Sequence, residues 1–221
     1  MKYPLSISIV FLADRIVHLV SRTWSTLKMR TMLRIHGAQA GSRLLVDGPV
    51  ILRSQKWAGI RLGDRCTIYA RPAVNLVGLT GPAVFHCWRT GEITVGNDVG
   101  MSSPVISSRS SIVIGDRVKL GGNVRIYDHD FHSLDHVLRQ DPDCDQANIL
   151  SAPVVLESDV FVGVNAMILK GVHIGARSII GAGAVVALKS VPPDSVVAGS
   201  PARIIRTGYE SARKPHDDGV R

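Results

Sequence analysis

Between Leu156 and Val186 an aliphatic residue returns at every sixth position: Leu156, Val162, Ile168, Ile174, Ile180 and Val186. An amphipathic helix repeats near 3.6 residues and a half-buried strand at 2, so this spacing belongs to neither. A short fixed repeat predicts stacked turns, each burying its face only against its neighbours. Four residues after each aliphatic stands a small residue or a valine, at Val160, Ala166, Val172, Ser178 and Ala184. Glycine follows the aliphatic at Gly163, Gly175 and Gly181, where it is expected to supply tight corners. Three such units make one triangular coil, which sets Leu156 one coil from Ile174, Val162 from Ile180 and Ile168 from Val186. The fold class predicted is mainly β, a parallel β-helix.

The same spacing recurs upstream in pieces, at Leu62 and Ile68, at Val95 and Met101, and at Ile114, Leu120 and Ile126. Two interruptions stand out. From about Val77 to Arg89, Gly78, Gly81 and Pro82 scramble the phase. From Tyr127 to Ala152 the repeat is absent, and the segment carries His129, His132 and His136 among many aspartates. An irregular polar loop on a rigid coil is where function concentrates. Before the coil, Pro4 to about Ile35 reads as one or two helices dense in aliphatics. The division expected is a basic helical segment over 1–40, a coil over 41–207 with an inserted loop over 127–152, and a polar, disordered tail over 208–221.

Charge refines this picture. The chain of 221 residues has a formal net charge of +8. Residues 1–60 hold nine Lys/Arg against two Asp, so the basicity sits in the N-terminal segment. That segment has no nucleic-acid motif and no aromatic stacking platform, which sets nucleic acid aside as a partner. Arg15, Arg22, Lys28, Arg30 and Arg34 beside Trp24 and the aliphatics suit a helix on an anionic membrane surface. Packing on the coil or on a partner subunit is an equal alternative. The apolar run is too short to span a bilayer, and no small-x-small cleavage site marks a signal peptide. Three cysteines without a paired spacing favour a reducing compartment. The location expected is cytoplasmic, with peripheral attachment to the inner membrane face left open.

Three stretches carry a resemblance: VFVGVNAMILKGVHIGARSIIGAGAVV at 160–186, VPPDSVVAGSPARIIR at 191–206, and YDHDFHSLD at 127–135. Together they resemble the hexapeptide-repeat acyltransferases, and more narrowly the sugar O-acetyltransferases of the maltose, galactoside and polysaccharide-modifying type. The resemblance implies a left-handed coil, a homotrimer, and acetyl-CoA as co-substrate in a groove between adjacent subunits. Handedness rests on the resemblance alone, because parallel crossovers are right-handed in nearly all folds. By motif match it assigns coenzyme contacts to Gly163, Val164, Gly181, Ala182, Lys189, Ser200, Arg203 and Arg206. It sets Ser102 and Ser103 facing the acceptor. GAGAVV lies inside the repeat and not at a strand-to-helix turn, so it is no dinucleotide fingerprint.

Acetyl transfer to a sugar hydroxyl needs a base, donors for the oxyanion and alignment of both substrates. Histidine titrates near neutrality and suits the first task. His132 is the leading candidate, His129 the runner-up, and Asp130 the preferred partner for the imidazole ahead of Asp128 or Asp135. The function expected is acetylation of a sugar hydroxyl on a cell-surface polysaccharide or its precursor. Alternatives are another acceptor (serine, an amino sugar or an antibiotic), a non-catalytic scaffold, or a metal enzyme like the gamma-class carbonic anhydrases. The His129, His132 and His136 spacing alone is weak evidence for a metal, and none is expected.

Overall fold

A computed structural model describes the backbone of residues 5–208 and the side chains of residues 15–208. It is a three-faced parallel β-helix with one long helix at its N-terminal end. The faces contain seven, eight and six strands. The chain visits first, second and third face in turn, and every neighbouring pair within a face is parallel except the last on the second face. The expected stacking is observed residue for residue: Leu156 pairs with Ile174, Val162 with Ile180 and Ile168 with Val186. All six of these side chains are fully buried, as are Val160, Ala166, Ser178 and Ala184, with Val172 nearly so. Each buried Leu, Ile or Val contributes about 1.5–3 kcal/mol, an upper estimate because the unfolded chain already hides some surface.

The corners differ from expectation in one respect. Left-handed backbone falls three residues after each aliphatic from Leu156 to Ile180, at Asp159, Asn165, Gly171, Arg177 and Gly183, with φ between 59° and 75°. The glycines directly after the aliphatics serve close approach instead. A Cβ on Gly163 would stand 2.5 Å from the amide nitrogen of Ala182, and one on Gly175 2.5 Å from that of Pro193. Along the corner between first and second faces, Arg65, Asp98, Arg117, Asp159, Arg177 and Asp194 all take φ of 55–64°. They form three doubly hydrogen-bonded ion pairs at 2.6–2.7 Å, Arg65 with Asp98, Arg117 with Asp159 and Arg177 with Asp194. These pairs are exposed, so solvent leaves each a small contribution.

The phase loss near residue 80 has a structural cause. Residues 70–82 are an insertion at the corner between second and third faces, and the third face resumes with Ala83–Cys87. That strand is five residues long and points Ala83, Phe85 and Cys87 inward. A strand with three inward residues breaks a six-residue template without leaving the coil. Burial among these side chains pushes the Cys87 thiol up to about 12.

The N-terminal segment is a single helix, α1 (Leu5–Ile35). Gly37, at φ 65°, ends it, with the Ala38 amide donating to Leu33 O at 2.8 Å and the Gly37 amide to Arg34 O at 3.0 Å. Met29 and Leu33 belong to the same buried cluster as the coil. The tail expected over 208–221 lies, from residue 209 onward, outside the described residues.

Candidate active site

The loop leaves the third-face strand Arg125–Tyr127 and returns at Val154–Leu156. Its stem is zipped shut. His129 bridges Ser151, the Asp130 amide donates to Leu150 O at 3.1 Å, and the Ala152 amide to Asp128 O at 2.9 Å. Farther out lie a short turn of helix at Leu138–Gln140 and α2 (Pro142–Ala147). Asp141 begins α2 by accepting the Cys144 amide at 2.8 Å.

Asp128 and His129 form the innermost polar unit. Asp128 is fully buried and accepts four hydrogen bonds. Ser108 Oγ (2.7 Å) and the Ser110 amide (2.9 Å) reach Oδ2, while the Arg109 amide (2.7 Å) and His129 Nδ1 (3.0 Å) reach Oδ1. Burial by itself raises the carboxyl pKa, but the bonds from His129, Ser108 and the two amides outweigh it and hold Asp128 below the ordinary value. An ionised Asp128 can only accept, so a neutral His129 carries its proton on Nδ1 and presents a lone pair on Nε2. Among the described residues Nε2 is buried without a hydrogen-bond partner. The imidazole side chain has no solvent exposure.

Aromatic rings enclose it. Phe131 lies 4.4 Å from the His129 ring between centroids, and Trp88 meets it edge-on at 6.2 Å. Phe131 holds φ at 65°, an uncommon conformation for a bulky residue and one that clusters at functional sites. Trp88 borders a cavity of roughly 430 Å³ with Arg89, Thr90, Arg109, Asp143 and Gln146 on its walls. Arg109 reaches across that cavity to the Gln146 carbonyl at 2.6 Å and thereby ties the loop back to the coil.

The other loop candidates occupy different places. His132 is 68% exposed, and its Nδ1 lies 2.7 Å from Asp145 Oδ2. That bond, with the Ser133 amide on Oδ1, holds Asp145 below the usual carboxylate range. His136 is more exposed still. The expectation that Asp130 steadies the imidazole is corrected: Asp130 receives Lys170 Nζ at 2.6 Å, while Asp128 and Asp145 hold the two rings. Asp128 stood in the sequence as one of three candidates, and Asp145, Trp88, Arg109 and Lys170 carried no signal there. Among the described residues no group of three His, Cys, Asp or Glu side chains is placed to hold a metal ion.

The residues matched to coenzyme contacts fall mostly on another corner. Gly163 and Gly181 each follow a second-face strand, in successive coils, and so line up between second and third faces, whereas Ser200 lies in the turn from Val196–Gly199 to Ala202–Arg206. Val164 and Ala182 stand beside them, and the Gly183 amide donates to Val164 O at 2.8 Å. Arg203 and Arg206 lie on Ala202–Arg206, the strand that folds back antiparallel on Val196–Gly199. Lys189 is exposed at the corner between third and first faces, the corner of the loop. Ser102 and Ser103 share the corner of the glycines and are engaged by the insertion: Asn75 Nδ2 donates to Ser102 Oγ at 2.7 Å, and Ser103 Oγ to Gly81 O at 2.8 Å. Within one protomer a whole face thus separates the glycine column from His129.

Comparison with known proteins agrees with this architecture. The family described as bacterial transferase hexapeptide (six repeats) matches residues 153–187. A galactoside acetyltransferase solved in complex with coenzyme A shares the fold, with 22% identity, 84% of this chain and 81% of that chain covered, and a TM-score of 0.50. A 2,3,4,5-tetrahydropyridine-2,6-dicarboxylate N-acetyltransferase of Staphylococcus aureus is 47% identical over 60 residues, 27% of this chain. The chain spans about a quarter (25%) of the length of that curated relative. A crystal structure of a hexapeptide-repeat containing acetyltransferase from Vibrio cholerae is 33% identical, covers 68% of this chain and 74% of that chain, and superposes with a TM-score of 0.52. With a third of the aligned residues identical across about three quarters of that acetyltransferase, on the same kind of coil, the chain belongs to the hexapeptide-repeat transferase family.

Proposed function

We propose that the protein transfers the acetyl group of acetyl-CoA to a sugar hydroxyl, with His129 as general base and Asp128 as the residue that positions it. The observation that carries this reading is the dyad: a buried imidazole with Nδ1 on an ionised carboxylate and Nε2 without a partner. Leaving a buried ring nitrogen unpaired costs free energy, and a substrate hydroxyl at Nε2 would recover it. His129 Nε2 accepts the hydroxyl proton as the oxygen attacks the thioester carbonyl. The imidazolium returns that proton to the departing thiolate, so the products are an acetyl ester and free coenzyme. His132 faces water and is the weaker candidate on that ground.

The cavity beside Trp88 supports a sugar acceptor. It offers an aromatic wall with guanidinium, amide, hydroxyl and carboxylate groups around it, the chemistry that binds a saccharide ring. The galactoside acetyltransferase with bound coenzyme supports the donor. Because the glycine column and the dyad lie on different corners, the reading is completed by a homotrimer with a left-handed coil, in which one subunit's column faces the next subunit's loop. The acceptor in this reading is a cell-surface polysaccharide or its precursor, modified on the cytoplasmic side.

The Staphylococcus aureus relative is an N-acetyltransferase, which makes an amine the second acceptor class to assay. The decisive experiment measures coenzyme release with sugar and amino-sugar acceptors for the parent, His129→Ala and His132→Ala. A loss of about 100-fold or more in kcat for His129→Ala, with His132→Ala near the parent, is expected. Full activity of His129→Ala ends the reading, and turnover with amines alone moves it to the second class.

A further inference from the structure

We infer that the outer face of α1 docks on an anionic phospholipid bilayer. The helix touches Gln39–Ala40, Leu45–Asp47 and Val50–Ser54, one strand from each face, and therefore lies across the open end of the coil. Its inner side is held there by Met29 and Leu33 in the core, by Ser25 Oγ on the Gly48 amide and by Thr26 Oγ1 on the Val46 amide. The opposite side carries Ile16, Val20 and Leu27, each 54–63% exposed, and Trp24, 68% exposed, flanks them at the rim of the cleft between α1 and Val50. Large aliphatics with a tryptophan are the residues that enter the boundary between headgroups and acyl chains.

Charge selects the occupant. Lys28 and Arg34 are exposed beside that face and Arg15 and Arg22 at the rim of the cleft over Asp47, and between Asp14 and Asp47 the chain has no Asp or Glu. Two copies apposed through this face would bring like charges together, whereas a sheet of anionic headgroups neutralises them. Among the described residues no helix is long and apolar enough to cross a membrane, so the contact lies in the interface plane. The His129 loop leaves the fourth coil. At about 4.8 Å per coil it stands roughly 15 Å beyond the first coil, and α1, about 10 Å across, sets it roughly 25 Å from the bilayer, a span for an oligosaccharide attached to a lipid.

The test uses the full chain and sedimentation with vesicles. Binding to phosphatidylcholine mixed with phosphatidylglycerol is expected, weakening about 10-fold or more on pure phosphatidylcholine, at high salt, or in Trp24→Glu/Leu27→Glu. That double variant should keep the parent's thermal midpoint and oligomeric state, because both side chains face outward. Independently of any variant's folding, vesicles should blue-shift the tryptophan emission of the parent, and Trp24→Phe should remove that shift while still binding. Failure of the parent to sediment with the mixed vesicles overturns the inference, as does equal binding by the double variant. A changed oligomeric state in the double variant also overturns it, by assigning the face to contact between copies.

Discussion

Lys170 Nζ and Asp130 Oδ1 meet at 2.6 Å although they are 40 residues apart in sequence. Lys170 sits at a corner of the coil and Asp130 in the loop beside the dyad, so the pair fastens the loop to the coil. Lys170→Met is expected to speed amide exchange across residues 128–152. It should cost about 1 kcal/mol or less in global stability, since both groups are partly exposed. Exchange mass spectrometry with a denaturant melt checks both quantities; unchanged exchange in the loop contradicts the tether.

Asp128→Asn removes the ionised acceptor while keeping its shape. An amide satisfies both ring and backbone donors poorly, and the His129 tautomer is no longer fixed. A fall in kcat of about 100-fold or more is expected, with KM much less affected. Stability should drop by about 1–3 kcal/mol because buried donors on Ser108, Arg109 and Ser110 lose their charged partner. Initial rates with a thermal melt separate the two effects.

The coil was legible because the same six-residue unit recurs and every coil has the same neighbours. Leu156, Val162 and Ile168 needed no more than their spacing to find Ile174, Ile180 and Val186. The corners were only half legible: left-handed backbone falls on Asp159, Asn165 and Arg177, residues that also serve elsewhere in other conformations. In the loop the histidines stood out by type, but their carboxylate partners did not. Asp130 and Asp128 are both adjacent to His129 in sequence, and burial alone decides that one meets the ring and the other a lysine. His132 draws its partner, Asp145, from the far arm of the loop. Trp88 is two coils away from that loop and could be recognised only once the coils were stacked.

Acid should unfold the protein through its paired carboxylates. Asp128 is depressed by the hydrogen bonds that overcome its burial, Asp98, Asp159 and Asp194 first by their hydrogen bonds from arginine, and Asp145 first by that from His132. A depressed folded-state pKa gives stability that is complete above the unfolded value, about 3.9, and is lost as pH falls through the folded value. The contribution of these groups to the thermal midpoint should therefore be flat from about pH 5 upward and decline below about pH 4. Melts of the parent and Asp128→Asn against pH check this; the variant should show a shallower acid decline.

Two glycines separate space from backbone. Gly183→Ala meets nothing within 4 Å but sits at φ +68°, so about 1 kcal/mol of strain is expected. Gly163→Ala has ordinary backbone but would press on the Ala182 amide, and it should cost more, of the order of 2–3 kcal/mol. Chemical melts of both variants rank them; the reverse order would show that the coils give way readily at this corner.

Phe131→Ala should uncover His129. Reaction of the imidazole with diethyl pyrocarbonate, slow in the parent because the ring has no exposure, is expected to rise at least about 10-fold. Mapping the modified histidine by mass spectrometry distinguishes it from His132, which reacts in both proteins.

The strand Ala202–Arg206 reverses direction and runs antiparallel to Val196–Gly199. A stack of parallel strands with an open final rung would offer its unpaired amides and carbonyls to the first rung of another molecule, and such additions propagate into filaments. The reversal replaces that template with a strand of the wrong polarity, while α1 obstructs the opposite end. End-to-end addition on the second face therefore meets a strand of the wrong polarity at one end of the stack and a helix at the other.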